Sequence, residues 1–286
     1  MASARDLMDQ LEAGLDTLLD SENFQRWLTV QARFHQYSFG NVLLIASQRP
    51  DATRVAGFHA WKKLGRSVKK GEHGIMILAP ILYKRDTVAG EASADSEVGE
   101  RLRMGFRVVY VFDISQTEGA PLPTLGGRLE GADAVAHSLR AGLVGLAGAE
   151  GLTVDLAAQD CSVAAGVNGY YRPRTHTIHV AADASVNQST ETLAHELGHH
   201  LLGHGHVADA RSVMECQADS FAYIVCAASG LATEAKVLPY IASWAAGDTP
   251  EAKRRAIREA LVPVHDAVAA CLKRLHVETP MMEEVA

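Results

Sequence analysis

The sequence has few of the features that would set it outside the ordinary globular class. Among its 286 residues are four cysteines, Cys161, Cys216, Cys226 and Cys271, with no CxxC spacing. Neither a disulfide framework nor a cysteine zinc knuckle is therefore expected, and each thiol reads as a small buried hydrophobe. The nine prolines and 24 glycines follow no period, which excludes a collagenous or low-complexity chain. Long apolar runs are missing. Residues 75–79 and 141–147 fall far short of the roughly 20 needed to span a bilayer, so no membrane partner is expected. The N-terminus turns acidic and amphipathic at once, without the basic-then-apolar order of a secretory signal. Scarce cysteine and no export signal together predict a cytoplasmic protein.

At roughly 100–200 residues per domain, the length suits two modest modules. The net charge of −7 argues against a general nucleic-acid binder, but the charge is unevenly placed. Residues 49–85 carry nine basic side chains against two acidic ones, whereas residues 126–286 carry 12 basic against 19 acidic. Helical spacing predicts helices over 5–19, 22–34, 41–48 and 58–64, and β-rich runs predict strands over 75–83 and 103–112. An acidic Gly/Ala/Ser loop (86–100) separates the two strands, and the Gly/Pro/Thr-rich stretch 114–127 reads as a linker. Beyond it, helices are expected over 132–147, 191–202, 212–229, 233–245 and 251–275, with strand-like residues at Val154 and 177–180. The expected fold class is α+β in two domains: residues 1–120 as an α+β module holding the basic stretch, and residues 127–286 as a mostly helical module with a small sheet.

The sharpest local signal is His195-Glu196-Leu197-Gly198-His199, an HExxH pattern on a predicted helix. Residues four apart share a helix face, so His195 and His199 can converge on one ion while Glu196 reaches a water bound to it. Leu193, Leu197 and Leu201 lie on the other side as the packing stripe, and Gly198 leaves room for a neighbour. Three origins for a third ligand stand open. A metzincin needs Gly and His where the chain has Leu202 and Gly205. His204 and His206 straddle the required place. Glu215, followed by Asp219 in an ExxxD pair 16 residues beyond His199, would complete a His2Glu site and leave a position for water. Glu215 is the favoured ligand, with Asp219 accepting the free N–H of a ligand histidine and His200, His204 and His206 at the surface or in support. Zn2+ or another divalent ion is the expected cofactor, and peptide hydrolysis with Glu196 as general base the expected chemistry. Residues 169–180 read as a strand or hairpin running towards the site, where an extended peptide substrate could add by β-pairing. Tyr170 and Tyr171 there are either packing residues or oxyanion donors.

In the basic stretch, Phe58 and Trp61 are interleaved with Lys62, Lys63, Arg66, Lys69 and Lys70. Cations that track phosphates beside rings that stack on bases are the elements of single-stranded DNA binding, although Phe58 and Trp61 equally suit a core.

Three blocks around that stretch resemble the N-terminal domain of ArdC-type antirestriction proteins: residues 37–45 (YSFGNVLLI), residues 57–75 from Gly57 to Ile75, and residues 111–119 (VFDISQTEG). The resemblance implies binding of single-stranded DNA by residues 1–120. It also implies a zincin-like domain matching the segment from Thr192 to His199 and Glu215 to Asp219, and a role on a mobile genetic element, shielding incoming DNA from restriction. HExxH is shared with ImmA/IrrE-type peptidases. An alternative expectation is therefore a regulatory metallopeptidase that cleaves a repressor or DNA-bound partner. A third is a non-enzymatic DNA-coating protein with structural zinc, which a three-ligand set with an adjacent glutamate fits poorly.

Overall fold

The computed structural model describes residues 3–84, 102–121, 132–156, 168–181, 184–204, 211–232 and 249–275. The first three helices are α1 (Ala4–Thr17), α2 (Ser21–Arg33) and α3 (Phe39–Gln48). Each begins at a short polar side chain that accepts from an otherwise unpaired amide: Ser3 from Asp6, Asp20 from Glu22 and Asn23, and Ser38 from Asn41. Their apolar stripes carry Leu15, Trp27, Val42 and Ile45 into the core. Next come β1 (Val55–Gly57), α4 (Phe58–Lys63), β2 (Arg66–Val68), β3 (Ile75–Lys84), β4 (Leu102–Asp113) and β5 (Thr117–Gly119). β4 lies between β1 and β3, antiparallel to both, with Ile77 opposite Val109. Ile75 and Ile77 bury one face of β3, while Leu78 packs with Leu7 and Leu44 on the other.

The stretch read as a linker is structured over its first part. Residues Ile114–Gln116 form a 3-10 turn capped by Asp113, and β5 pairs antiparallel with β2. The reason is chemical: Asp113 accepts from the amides of Thr53, Arg54 and Ser115, and the Arg66 guanidinium binds Thr117 and the Ala120 carbonyl. The rest of that stretch, the acidic loop 86–100 and the helix expected over 233–245 lie outside the described residues.

The second half holds α5 (Ala132–Ala149), β6 (Thr153–Asp155), β7 (Gly169–Arg172), β8 (Thr177–Val180), α6 (Val186–Leu201), α7 (Arg211–Ala228) and α8 (Pro250–Arg274). β8 is the middle strand, parallel to β6 and antiparallel to β7, so β7 is an edge. This mixture of helices and small sheets is the expected α+β class.

One hydrophobic core runs through both halves, from Trp27 and Phe34 to Leu193, Phe221 and Val264. Polar links cross the same boundary. Thr29 meets the Tyr223 hydroxyl at 3.1 Å, Gln31 meets His265 at 2.8 Å, Arg254 grips Asp16, and Arg258 binds Glu12. The elements that carry the candidate site are thus braced by the N-terminal helices. Among the described residues, no helix is long and apolar enough to cross a membrane.

Candidate metal centre

α6 starts at Ser185, whose hydroxyl accepts from the Gln188 amide. Leu193 and Leu197 are fully buried on its packing face. On the same helix, a side chain at Gly198 would come within 3.0 Å of the Phe221 ring of α7, so glycine is what lets α7 close on α6. That approach presents Glu215 of α7 to the two histidines. His195 Nε2 and His199 Nε2 lie 3.1 Å apart, and Glu215 Oε2 is 3.4 Å from the first and 3.7 Å from the second. One donor atom from each of His195, His199 and Glu215 falls within a single 4.8 Å cluster. Two imidazole nitrogens and a carboxylate oxygen around a common point are the donor set of a catalytic zinc-type site.

The outer nitrogens are held as well. His195 Nδ1 is 2.8 Å from Asp219 Oδ1, the contact expected for the second acid of the ExxxD pair. His199 Nδ1 is 2.8 Å from His204 Nδ1, and His204 Nε2 is 3.0 Å from Gln217 Oε1. His204 therefore stands behind His199 rather than among the converging donors. His206 lies outside the described residues, and His200 Nδ1 meets the Tyr171 hydroxyl at 2.8 Å.

Charge follows this arrangement. Burial by itself would lower the His195 pKa, but the hydrogen-bonded carboxylates of Asp219 and Glu215 outweigh it and push it up to about 9. Contacts with the His195 and His199 rings hold the Glu215 carboxyl far below the usual carboxylate range. A divalent cation bound here would take the place of the His195 proton and be balanced by the Glu215 carboxylate. Glu196 is buried beside them, and burial pushes its carboxyl up; the charges of His195 and His199 and the Tyr171 amide pull the other way. A carboxyl raised in this manner is more basic than an exposed glutamate, as a proton acceptor requires.

The edge strand β7 lies against α6. A side chain at Gly169 would come within 2.5 Å of Thr192 and 2.8 Å of the His179 carbonyl, and 3.5 Å from Glu196 Cγ. Only glycine allows that strand so close to Glu196. Tyr170 faces away from this contact, stacked on His179 with ring centroids 4.9 Å apart and the Arg172 guanidinium over it.

The basic module sorts differently from the sequence reading. Trp61 is 1% exposed and its Nε1 donates to the Phe112 carbonyl, so it is a core residue and offers no face to a base. Arg66 is consumed in fastening β5, and Lys69 Nζ donates to the Ser115 carbonyl. Lys62, Lys63 and Lys70 are exposed, with Lys62 Nζ 5.6 Å from the Phe58 ring centroid. Phe58, Phe106 and Tyr110 are each more than 40% exposed. Phe106 and Tyr110 escaped the sequence reading because a strand of alternating character does not say which face stays uncovered.

Fold and site define a two-module protein whose second module has a metallopeptidase-like centre. Residues 3–112 match the N-terminal domain of anti-restriction factor ArdC, and residues 149–236 match the IrrE N-terminal-like domain. The crystal structure of the antirestriction ArdC protein from plasmid R388 in its metal-free form shares the fold, with a TM-score of 0.57 and 20% identity, covering 94% of this chain and 98% of that one. Its Mn(II)-bound form gives 0.56 and 19%, covering 93% and 97%. An uncharacterized protein of Bacillus anthracis is 28% identical over 281 residues, 84% of this chain. The chain spans about half of that relative's length, 46%. The chain thus carries an ArdC-type N-terminal domain followed by an IrrE-like domain, in a fold similar to that of the R388 protein.

Proposed function

We propose that this protein acts in antirestriction in the cytoplasm, its first module holding single-stranded DNA and its second hydrolysing peptide bonds. The observation that carries the hydrolytic part is the convergence of His195, His199 and Glu215 beside a buried Glu196. A divalent ion held by those three groups would supply Lewis acidity and acidify a bound water. Zn2+ suits two imidazoles and a carboxylate with an open position; the Mn(II)-bound ArdC structure makes manganese the competing occupant. Glu196 takes the water proton and later passes it to the leaving amine, its carboxyl poised by burial. Among the described strands β7 is an edge, and an extended peptide would lie against it as an added strand alongside Glu196. Asp219 holds the His195 ring through Nδ1 throughout.

Support for the DNA part comes from the ArdC N-terminal match, from the exposed Phe58 ring with Lys62 Nζ 5.6 Å from its centroid, and from the exposed Lys63, Lys70 and Tyr110 of the same module. Rings that stack on bases and cations that track phosphates need no base sequence. The IrrE-like match favours a second reading, in which the DNA module only delivers a regulatory peptidase to a repressor or other DNA-bound protein. One experiment separates the two. Glu196→Gln should keep the metal and lose hydrolysis, while protection of DNA from restriction survives if coating is the mechanism and fails if cleavage is. Equal hydrolysis by both proteins would remove Glu196 from the chemistry.

A further inference from the structure

His199 is held from behind by another histidine, His204, whereas its partner His195 is held by a carboxylate. The path continues from His204 Nε2 to Gln217 Oε1 at 3.0 Å, and from Gln217 Nε2 to the backbone carbonyl of Ala260 in α8 at 2.8 Å. Both His204 and Gln217 are buried, so neither can exchange these partners for bulk water without a penalty.

The chemistry of the far end orders the whole path. A backbone carbonyl only accepts, so the group facing Ala260 must be the amide nitrogen of Gln217, and its oxygen must face His204. That oxygen only accepts, so His204 carries a proton on Nε2, and in the neutral ring Nδ1 is then an acceptor. Nδ1 of His199, 2.8 Å away, must then be the N–H. The Nε2 lone pair of His199 is left directed at His195 and Glu215. Pro263 lies inside α8 three residues beyond Ala260. A proline without an N–H loosens the helical bonding of the preceding turn, next to the carbonyl that Gln217 takes.

We propose that His204 and Gln217 are positioning residues for the metal site, a directed relay anchored on the Ala260 carbonyl that fixes His199 as its Nδ1–H tautomer and its Nε2 as a ligand. The relay replaces, for one histidine, the carboxylate that Asp219 supplies to the other. It rests on the reading of His195, His199 and Glu215 as metal ligands.

The test uses the full-length protein and two readouts. In metal-free wild type, long-range 15N–1H NMR spectra should show His199 protonated on Nδ1 and His204 on Nε2; the reverse tautomer at either ring overturns the relay whether or not metal binds. In Zn2+ titrations against a competing chelator, His204→Phe and Gln217→Leu should each weaken binding about 10- to 100-fold, the range for groups that orient a ligand. The double variant should be no weaker than His204→Phe alone, because residues acting in one path are not additive. Binding within twofold of wild type, or fully additive losses, would overturn the proposal. Wild-type protein that takes up no Zn2+ would instead sink the ligand reading, and the tautomers would still judge the relay. Should Gln217→Leu not fold, Gln217→Glu keeps an acceptor for His204 while losing the donor to Ala260, and an intermediate affinity is expected.

Discussion

Around the metal centre each ring nitrogen of His195, His199 and His204 has a polar partner inside the protein. On the basic face of the first module, by contrast, Arg66 and Lys69 are bonded to the chain itself while Lys62, Lys63 and Lys70 stand at the surface. The two regions therefore tie up their polar side chains to different extents. At the centre, function depends on a few groups whose removal cannot be compensated; at the surface it is spread over several weak interactions. Substitutions should be steep in effect at the first and shallow at the second.

The steepest is expected at Glu215. Glu215→Ala removes one of three converging ligand atoms and should abolish stoichiometric metal binding, read by chelator-competed titration. Asp219→Asn leaves all three in place and loosens the hold on His195, so the metal should be retained with an affinity lower by about 10- to 100-fold. If Asp219→Asn loses the ion and Glu215→Ala keeps it, the two acids have exchanged roles.

A backbone change should come next. At Gly169 an added methyl meets Thr192 and a backbone carbonyl that cannot yield, so Gly169→Ala should destabilise the protein by about 1–3 kcal/mol. It should also lower hydrolysis by pushing β7 away from Glu196. Gly145, with nothing within 4 Å in α5, is the control: Gly145→Ala should stabilise by up to ~1 kcal/mol. Equal melting shifts for the two would mean that β7 is free to move.

The contrast also explains what could be read from residues alone. HExxH is legible because both histidines and the glutamate sit on one helix, where spacing dictates direction. The ExxxD pair adds a second helix whose crossing is fixed by Gly198 against Phe221, a close approach that a small residue in an apolar stripe announces. His204 was not legible as the partner of His199, since it lies past the end of α6 and its direction is set by the turn there rather than by a repeat. Trp61 misled for the opposite reason. A tryptophan among lysines suits a stacking face by residue type, but burial is decided by the helices that cover β4. The capped helices, long strands and α+β class followed from local pattern. The ribbon β2–β5 did not, because three-residue strands pinned by Arg66 and Asp113 carry too little periodicity to stand out from a linker.

Surface effects should be smaller and graded. Replacing Lys62, Lys63 and Lys70 together by Ala should flatten the log–log salt dependence of single-stranded DNA binding by about 0.7 for each phosphate no longer neutralised, with little change in melting temperature. Trp61→Phe should do the reverse. It deprives the Phe112 carbonyl of its donor, which costs about 1 kcal/mol of stability, and it should leave the salt slope unchanged. A slope that responds to Trp61 and not to the lysines would place the DNA track elsewhere.

The gentlest prediction concerns the seam that joins the regions. Gln31 of α2 donates its amide to Nδ1 of His265 in α8, and a protonated ring would have no lone pair there to accept it. The ring also packs edge-on against Phe39, with Asp266 4.0 Å from Nε2. Burial lowers the His265 pKa below its ordinary 6.5; Asp266 works against this and nearby His35 reinforces it. Burial lowers the pKa of His35 as well. In the unfolded chain both rings bind protons near 6.5, so below that pH the unfolded state takes up more protons than the folded one. Their contribution is complete above pH 6.5 and declines as pH falls through the lower folded values, no more steeply than about 1.4 kcal/mol per pH unit for each ring. Melting temperatures between pH 7.5 and 5 should show this decline, and His265→Gln, which cannot titrate, should remove about half of it. An identical pH profile in the variant would mean that the seam is held by the surrounding apolar core and not by the neutral ring.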